Sequence, residues 1–195
     1  MPIAKVPERI IMTNDTLRAR VLVAHHLEHA VPLYEQGDFS VHTGSYNGTP
    51  LAVVSTGFGK ENVLQCLSQL IENGASQIVY LSTCISAIKR YDIRTVILCV
   101  GGSEDLLERT LVAAERCGVE LRTSTVLGHD VAVRDTESVV DDVTGAFYEA
   151  ARKCGVKALS LLTVSENTIT GAKMEESEIR ARLYPASELA FEIWA

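Results

Sequence analysis

One short segment of the chain has the residue types and spacing of a metal-binding helix. His25 and His29 are four residues apart and Glu28 lies between them, so on a helix both imidazoles would lie on one face and could bind zinc. His129 and Asp130 could supply further ligands, although nothing in the sequence brings them close. Five-residue patterns often match by chance, and an exposed polar helix face explains the segment more simply. We therefore expect no metal site.

A second candidate is a glycine turn between a predicted strand and a predicted helix. Residues 56–60 have the sequence TGFGK, and the backbone N–H groups at a helix N-terminus favour an anion. Asn62 stands where a dinucleotide-binding fingerprint needs its third glycine, and the chain has no P-loop motif. A tight turn that requires glycine is therefore the simpler interpretation.

Three further polar residues lie where predicted buried strands end. Arg18 follows the first strand and its turn, Thr83 ends the strand predicted for residues 78–83, and Glu166 follows the strand predicted for residues 158–164. Open α/β sheets bind their ligands at the carboxyl ends of the strands. The three side chains are thus candidates for one site, although Glu166 could equally be a solvated loop acid.

The elements that must position these residues alternate along the chain. Apolar runs predict five strands, over residues 9–12, 78–83, 95–100, 119–127 and 158–164. Helical periodicity predicts one helix that ends at residue 27 and three more over residues 63–71, 106–117 and 140–154. Asn47 and Gly48 separate two strand patterns, residues 39–46 and 49–56, and predict a β-hairpin. A final helical pattern is interrupted at Pro185. The sequence predicts one α/β domain over residues 1–195 with a largely parallel central sheet.

Composition excludes several classes of protein. The 195 residues include 18 Lys and Arg against 25 Asp and Glu, a net charge of −7, which disfavours a basic nucleic-acid binder. The apolar runs are shorter than the roughly 20 residues of a membrane helix, and the first ten residues lack the apolar centre of a secretory signal. Five cysteines without a CxxC pair predict reduced thiols. We expect a cytoplasmic protein that binds neither nucleic acid nor membrane.

Five segments in order resemble the purine nucleoside and uridine phosphorylase family over most of the chain. They are residues 14–19 (NDTLRA), 43–48 (TGSYNG), 55–59 (STGFG), 82–84 (STC) and 155–166 (GVKALSLLTVSE). The resemblance implies a three-layer α/β/α sandwich with a mixed central sheet. It also implies cleavage of the N-glycosidic bond of a nucleoside with phosphate, without a cofactor, by a homo-oligomer that is a dimer or a hexamer.

The resemblance assigns roles residue by residue. Arg18 would bind phosphate through its two-pronged guanidinium, with Thr83 and Asn14 beside it. Glu166 stands where the family has an aspartate that protonates the departing base, and Arg180 corresponds approximately to the arginine that supports it. The residues that would contact the nucleoside are Thr56, Gly57, Phe58 and Asp142.

The departures from the family pattern concentrate at the site. Tyr80 replaces a second phosphate-binding arginine, and Gly37 replaces an arginine that some members donate across a dimer interface. Val143 stands where the family binds ribose with a glutamate, although Asp142 could partly substitute. Ser82 and Ile85 occupy family glycine positions, and residues 14–16 read NDT where the family has Gly-Asp-Pro. A charge-assisted hydrogen bond contributes about 1.5–3 kcal/mol, so two lost arginines predict weakened phosphate binding.

Two functions remain open from the sequence. The first is an enzyme that cleaves a purine or pyrimidine nucleoside with phosphate or water as nucleophile. The second is a non-catalytic relative that binds a nucleoside or serves as a partner subunit. An arginine, a hydroxyl and an acid remain at corresponding positions, so we favour the enzyme.

Overall fold

The computed structural model describes residues 5–128, 138–181 and 185–195. The strands in this part of the chain are β1 (Arg9–Thr13), β2 (Glu28–Gln36), β3 (Phe39–Tyr46), β4 (Thr49–Ser55), β5 (Gln77–Ser86), β6 (Val96–Cys99), β7 (Leu121–Ser124), β8 (Val126–Leu127), β9 (Val139–Val140) and β10 (Lys157–Asn167). The helices are α1 (Thr16–His26), α2 (Lys60–Glu72), α3 (Glu104–Cys117), α4 (Thr144–Lys153), α5 (Glu176–Ala181) and α6 (Ala186–Glu192).

All ten strands join one mixed sheet in the order β2-β3-β4-β1-β5-β10-β6-β7, with β9 paired to the end of β5 and β8 paired to β9. The central strands β4, β1, β5 and β10 are parallel neighbours, whereas β2, β3 and β4 form antiparallel pairs. Strand β10 is antiparallel to β6. Because parallel strands end at the same edge, the segments that follow β1, β5 and β10 meet there.

Alternating apolar residues bury both faces of the sheet. Ile10 and Met12 belong to the core cluster that includes α2 and α4, whereas Ile11 belongs to the cluster that includes α1, α3 and α6. A strand presents successive side chains to opposite faces, so a strand that is apolar throughout must be covered by helices on both sides. This arrangement confirms the predicted three-layer α/β/α sandwich.

Local sequence explains the two elements closest to the functional edge. Asp15 begins α1, and its Oδ1 accepts the backbone N–H of Arg18 at 3.0 Å, the usual contact of an N-cap. Gly59 begins α2 with a φ of 104°, a conformation that L-residues with side chains rarely adopt. The predicted hairpin is confirmed, with Asn47 and Gly48 both at positive φ in the turn between β3 and β4.

The structure corrects the predicted helix around the paired histidines. Helix α1 ends at His26, and Glu28 begins the exposed edge strand β2, which the sequence analysis missed. His29 has a φ of 52° and lies in that strand. His25 and His29 therefore do not share a helical face, and the helical spacing on which the zinc pattern depended is absent.

Four further predicted elements have different bounds in the structure. The strand predicted for residues 119–127 is two short strands, β7 and β8, and the helix predicted from residue 140 starts at Thr144 because residues 139–140 form β9. Strands β5 and β10 extend past their predicted ends, to Ser86 and Asn167. Thr83 and Glu166 consequently lie within strands rather than at or beyond their ends.

Within the described residues, no helix is both long and apolar enough to cross a membrane.

Candidate active site

A cavity of about 650 Å³ opens at the carboxyl edge of the central strands. Its floor comes from β5 and β10, and its walls come from the segment after β1, the start of α2 and the connection between β9 and α4. The lining residues are Asn14, Gly59, Lys60, Glu61, Ser82, Thr83, Cys84, Ile85, Val140, Asp141, Asp142, Val143, Ser165, Glu166 and Lys173. This volume suits a small-molecule ligand.

Four of the residues selected from the sequence line this cavity. Asn14 follows β1, Thr83 lies on β5, Asp142 precedes α4 and Glu166 lies on β10. They are far apart in the chain and come together because the parallel strands share an edge.

A bulge in β10 sets the position of Glu166. Val164 pairs with Cys84, but Glu166 pairs with Ile85, so Ser165 is an extra residue in β10. Side chains alternate between the two faces of a sheet, and one inserted residue shifts the following side chain to the opposite face. The bulge thereby places Glu166 on the face of Thr83 and Ile85 rather than on that of Cys84.

Lys173 accompanies Glu166 in the cavity and was not selected from the sequence. Its Nζ lies 3.0 Å from Oε2 of Glu166, and the two residues also form an isolated antiparallel bridge. The carboxylate is about one-third exposed, so it is accessible to a ligand while the ammonium orients it. The sequence around Lys173 contains no signal for this contact, because the contact depends on the chain folding back onto β10.

Asp141 is a second residue that sequence reasoning missed. Its Oδ2 accepts the backbone N–H groups of Thr144 at 2.7 Å and of Val143 at 3.2 Å, at the start of α4. Burial raises the pKa of this carboxyl, and the hydrogen bonds from the start of α4 partly oppose that increase. A carboxylate two or three residues before a helix is a recognisable cap, so the adjacent acids Asp141 and Asp142 carried the signal.

Arg18 does not line the cavity. Its side chain is only 2% exposed and donates to Thr13 Oγ1 at 2.9 Å, to Asn14 Oδ1 at 3.2 Å and to the backbone oxygen of Ile179 at 2.9 Å. Burial lowers the pKa of Arg18 to about 10, against an opposing effect of Asp15. Within the described residues, its buried Nε has no hydrogen-bond partner. The guanidinium therefore connects β1 to α5 in this structure.

Arg180 also lies outside the cavity lining. It is about half exposed on α5, with Nε 3.4 Å from Asp15 Oδ2 and a second nitrogen 3.5 Å from Glu176. The structure thus places Arg180 beside Arg18 and Asp15 at the contact between α1 and α5, and not beside Glu166.

Of the glycine turn, residues 56–59, Gly59 lines the large cavity. Thr56 is buried, donates to the backbone oxygen of Gly57 at 2.8 Å and lines a separate cavity of about 180 Å³. Phe58 is 58% exposed and, with Gly57, is absent from the lining of the large cavity. Gly59 and the first turn of α2 line it instead.

The family positions that differ in this chain are distributed between core and cavity. Tyr80 is fully buried and packs 5.6 Å from the ring of Phe147. Ser82, Ile85 and Val143 line the cavity. Gly37 lies in the turn between β2 and β3, away from the cavity lining. The Tyr80 replacement therefore adds apolar packing rather than a ligand contact.

The described part of the chain holds no group of three or more His, Cys, Asp and Glu residues that could bind a metal ion. His129 and Asp130 lie outside the described residues. Among the described residues, the charged groups that line the cavity are two lysines, Lys60 and Lys173, and four carboxylates, which are Glu61, Asp141, Asp142 and Glu166.

Related proteins extend the comparison beyond motifs. The chain is 26% identical over 221 residues to the DeoD-type purine nucleoside phosphorylase of Alkaliphilus metalliredigens, with 97% of this chain and 95% of the relative covered. The same identity over 220 residues relates it to the DeoD-type enzyme of Bacillus cereus, with 96% and 94% covered. None of the protein-family models matches the chain.

Solved structures have the same fold. Purine nucleoside phosphorylase from Toxoplasma gondii in complex with immucillin-H superposes with a TM-score of 0.82 at 15% identity, covering 97% of this chain and 89% of the other. Uridine phosphorylase from Vibrio fischeri superposes with a TM-score of 0.83 at 18% identity, covering 97% and 92%. At these identities the structural comparison supports the architecture, while the sequence comparison supports the family relationship and agrees with the preference for an enzyme.

Proposed function

We propose that this chain is a divergent member of the nucleoside phosphorylase family. We also propose that it cleaves the N-glycosidic bond of a purine or pyrimidine nucleoside in the cavity at the carboxyl edge of the sheet. The observation that supports this most directly is the meeting of Asn14, Thr83, Asp142 and Glu166 in that cavity. These residues were selected from four separated segments of the sequence, and the fold brings them together.

Glu166 is the residue to which we assign the proton transfer. It is accessible in the cavity and held by Lys173 at 3.0 Å, so its carboxyl group can face the base of a bound nucleoside. Proton transfer by a positioned side chain typically contributes a factor of about 10²–10⁴ to a rate. The nucleophile is phosphate or water, and it adds to the sugar carbon as the bond to the base breaks.

Asp142 and Thr83 complete the assignment. Asp142 lies between β9 and α4 beside Val143, so it is the carboxylate that could accept hydrogen bonds from the sugar hydroxyls. Thr83 contributes a hydroxyl from β5 on the face that Glu166 also occupies. The roles of Arg18, Arg180 and residues 56–58 would require a rearrangement of α5 and of the glycine turn.

The test is the release of free base from a panel of purine and pyrimidine nucleosides, followed by chromatography. We expect release by the unmodified protein and a loss of about 10²-fold or more in Glu166→Gln, because the amide cannot take up and deliver the proton that the departing base needs. Glu149→Gln is the matched control, since Glu149 is exposed on α4 and contacts Lys153. Equal rates in all three proteins would contradict the assignment of Glu166.

The non-catalytic alternative follows from one observation, the internal bonding of Arg18 described above. If no nucleoside releases base while one binds saturably in calorimetry, the chain is a nucleoside-binding relative.

We also propose a cytoplasmic homo-oligomer, a dimer or a hexamer, on the family resemblance. Light scattering of the purified protein measures its size, and a monomer would contradict that proposal.

A further inference from the structure

Besides Lys60, three features of the described residues beside the cavity could attract an anion, and in each of the three the chain supplies its own partner. The three features are the Arg18 guanidinium, the Lys173 ammonium and the N-terminus of α2. Phosphate is an anion at neutral pH and would need such groups to be available. What each feature contacts therefore decides whether phosphate can serve as nucleophile in the proposed cleavage.

The Arg18 guanidinium already donates hydrogen bonds to other groups of the chain. One terminal nitrogen donates to Thr13 and Asn14, and the other donates to the backbone oxygen of Ile179 on α5. The Nε atom is itself buried. Phosphate could reach this group only by displacing α5, which Arg180 also joins to Asp15.

Each of the other two features has a carboxylate close to it. Lys173 is paired to Glu166 at 3.0 Å. At the start of α2, the side chain of Glu61 folds back, and its Oε2 lies 3.9 Å from the position that a Cβ on Gly59 would occupy. A carboxylate in the first helical turn satisfies the helix dipole that would otherwise favour an external anion.

The excess of carboxylates over lysines in the described part of the cavity lining also disfavours an anion. Among the described residues of the lining, two lysines accompany four carboxylates, and Lys173 is paired with Glu166. Carboxylates within a few ångströms repel an anion, most strongly in a partly buried site. An uncharged nucleoside and an uncharged water molecule therefore suit this cavity better than a phosphate anion does.

We infer that the nucleophile of the proposed cleavage is water, so that the chain is a nucleoside hydrolase built on a phosphorylase fold. This inference rests on the proposed function. A water oxygen bonds to the sugar carbon that carries the base, and the bond from that carbon to the base nitrogen breaks. One water proton stays on the new sugar hydroxyl, and the other passes to the Glu166 carboxylate, which delivers a proton to the base nitrogen as its bond to the sugar breaks. The products are the free base and the free pentose.

The experiment identifies the sugar product. Purified protein is incubated with each nucleoside in phosphate-free buffer and in buffer containing inorganic phosphate, and free base, free pentose and pentose 1-phosphate are measured. We expect the same rate of base release in both buffers, free pentose as the product, and incorporation of ¹⁸O from labelled water. Pentose 1-phosphate, or release that requires phosphate, would overturn the inference while leaving base cleavage intact.

Titration with inorganic phosphate separates this inference from the proposed function. We expect no saturable binding to the unmodified protein and saturable binding to Glu61→Gln, because a negative charge at the start of α2 is removed. Glu72→Gln, at the opposite end of the same helix, is the matched control, and we expect no saturable binding to it. Saturable binding to the unmodified protein would overturn the exclusion of phosphate, and binding to Glu72→Gln as tight as to Glu61→Gln would overturn the part of Glu61 in it. Absence of base release from every nucleoside would instead overturn the proposed cleavage, and the hydrolase inference with it.

Discussion

Two polar clusters lie at the same edge of the sheet and differ in what their polar atoms contact. The open cluster is Thr83, Asp142, Glu166 and Lys173, and its members line the cavity. The closed cluster is Asp15, Arg18 and Arg180, at the contact of α1 with α5. Arg18 and Glu166 both looked like ligand-binding groups in the sequence. Their difference shows that a charged residue at a ligand-binding edge can form its hydrogen bonds within the protein and so be unavailable to a ligand.

The two clusters differ in their contacts because they are buried to different extents. Arg18 is 2% exposed, and a buried guanidinium must be hydrogen-bonded within the protein to offset its lost hydration. Glu166 is about one-third exposed and keeps part of its hydration, so one ion pair suffices. Removing a member of the closed cluster should therefore alter stability, whereas removing a member of the open cluster should alter function. The predictions that follow test this contrast.

The largest stability effect should come from Arg18→Met. The substitution leaves Thr13 and the backbone oxygen of Ile179 without their donor and removes the cation beside buried Asp15. Breaking a buried polar network of this kind lowers the free energy of unfolding by about 3–5 kcal/mol. Urea denaturation measures the change, with Arg20→Met, on the exposed side of α1, as the control. A loss similar to that of the control would show that the closed cluster is not structural.

Asp141 should give an intermediate effect, because it is buried yet lines the cavity. Asp141→Ala removes the acceptor for two backbone N–H groups at the start of α4 and should lower the free energy of unfolding by about 1–2 kcal/mol. Asp141→Asn keeps an acceptor and should lose less. Denaturation of both variants measures the difference, and an equal loss would show that capping is not the cause.

The same residue makes stability depend on pH. Burial raises the pKa of Asp141 in the folded protein above its unfolded value, so the folded state binds the proton more tightly. Its contribution is fully present below the unfolded pKa of about 3.9 and is lost as the pH rises through the folded value. Calorimetric unfolding across this range should show a smaller loss of Tm with rising pH in Asp141→Asn than in the unmodified protein. Parallel curves would contradict the assignment.

The smallest stability effect should come from Lys173→Gln. The pair with Glu166 is largely exposed on the lysine side, and exposed ion pairs contribute about 0–1 kcal/mol. We expect a change of that size in urea denaturation, together with a measurable change in base release, because Glu166 loses its orienting partner. A stability loss as large as that of Arg18→Met would abolish the distinction between the two clusters.

Much of the architecture could be predicted because it depends on local patterns. The hairpin at Asn47 and Gly48 follows from turn chemistry, and β1 and most of α1 follow from apolar runs and apolar periodicity. Strand β2 was missed, since its residues are exposed at an edge and lack alternation. The histidine pattern failed for the same reason, because a spacing has meaning only on the element that carries it.

The candidate site was only partly predictable. The family resemblance selected Thr83, Asp142 and Glu166 by position, and parallel strands brought them to one edge. Lys173 and the bulge at Ser165 could not be read from the sequence, because they depend on how one segment registers against another.

The sequence by itself determined an α/β domain with a largely parallel central sheet and the edge of the sheet at which its polar residues collect, because apolar periodicity and turn residues act locally. Only the tertiary structure decided which of those residues are available to a ligand. In the sequence, Arg18 and Glu166 are both charged residues that follow predicted strands. In the structure, α5 covers Arg18, whereas a bulge in β10 directs Glu166 to the cavity. Burial and hydrogen-bond partners arise from contacts between distant segments, and those contacts separate a structural charge from a functional one.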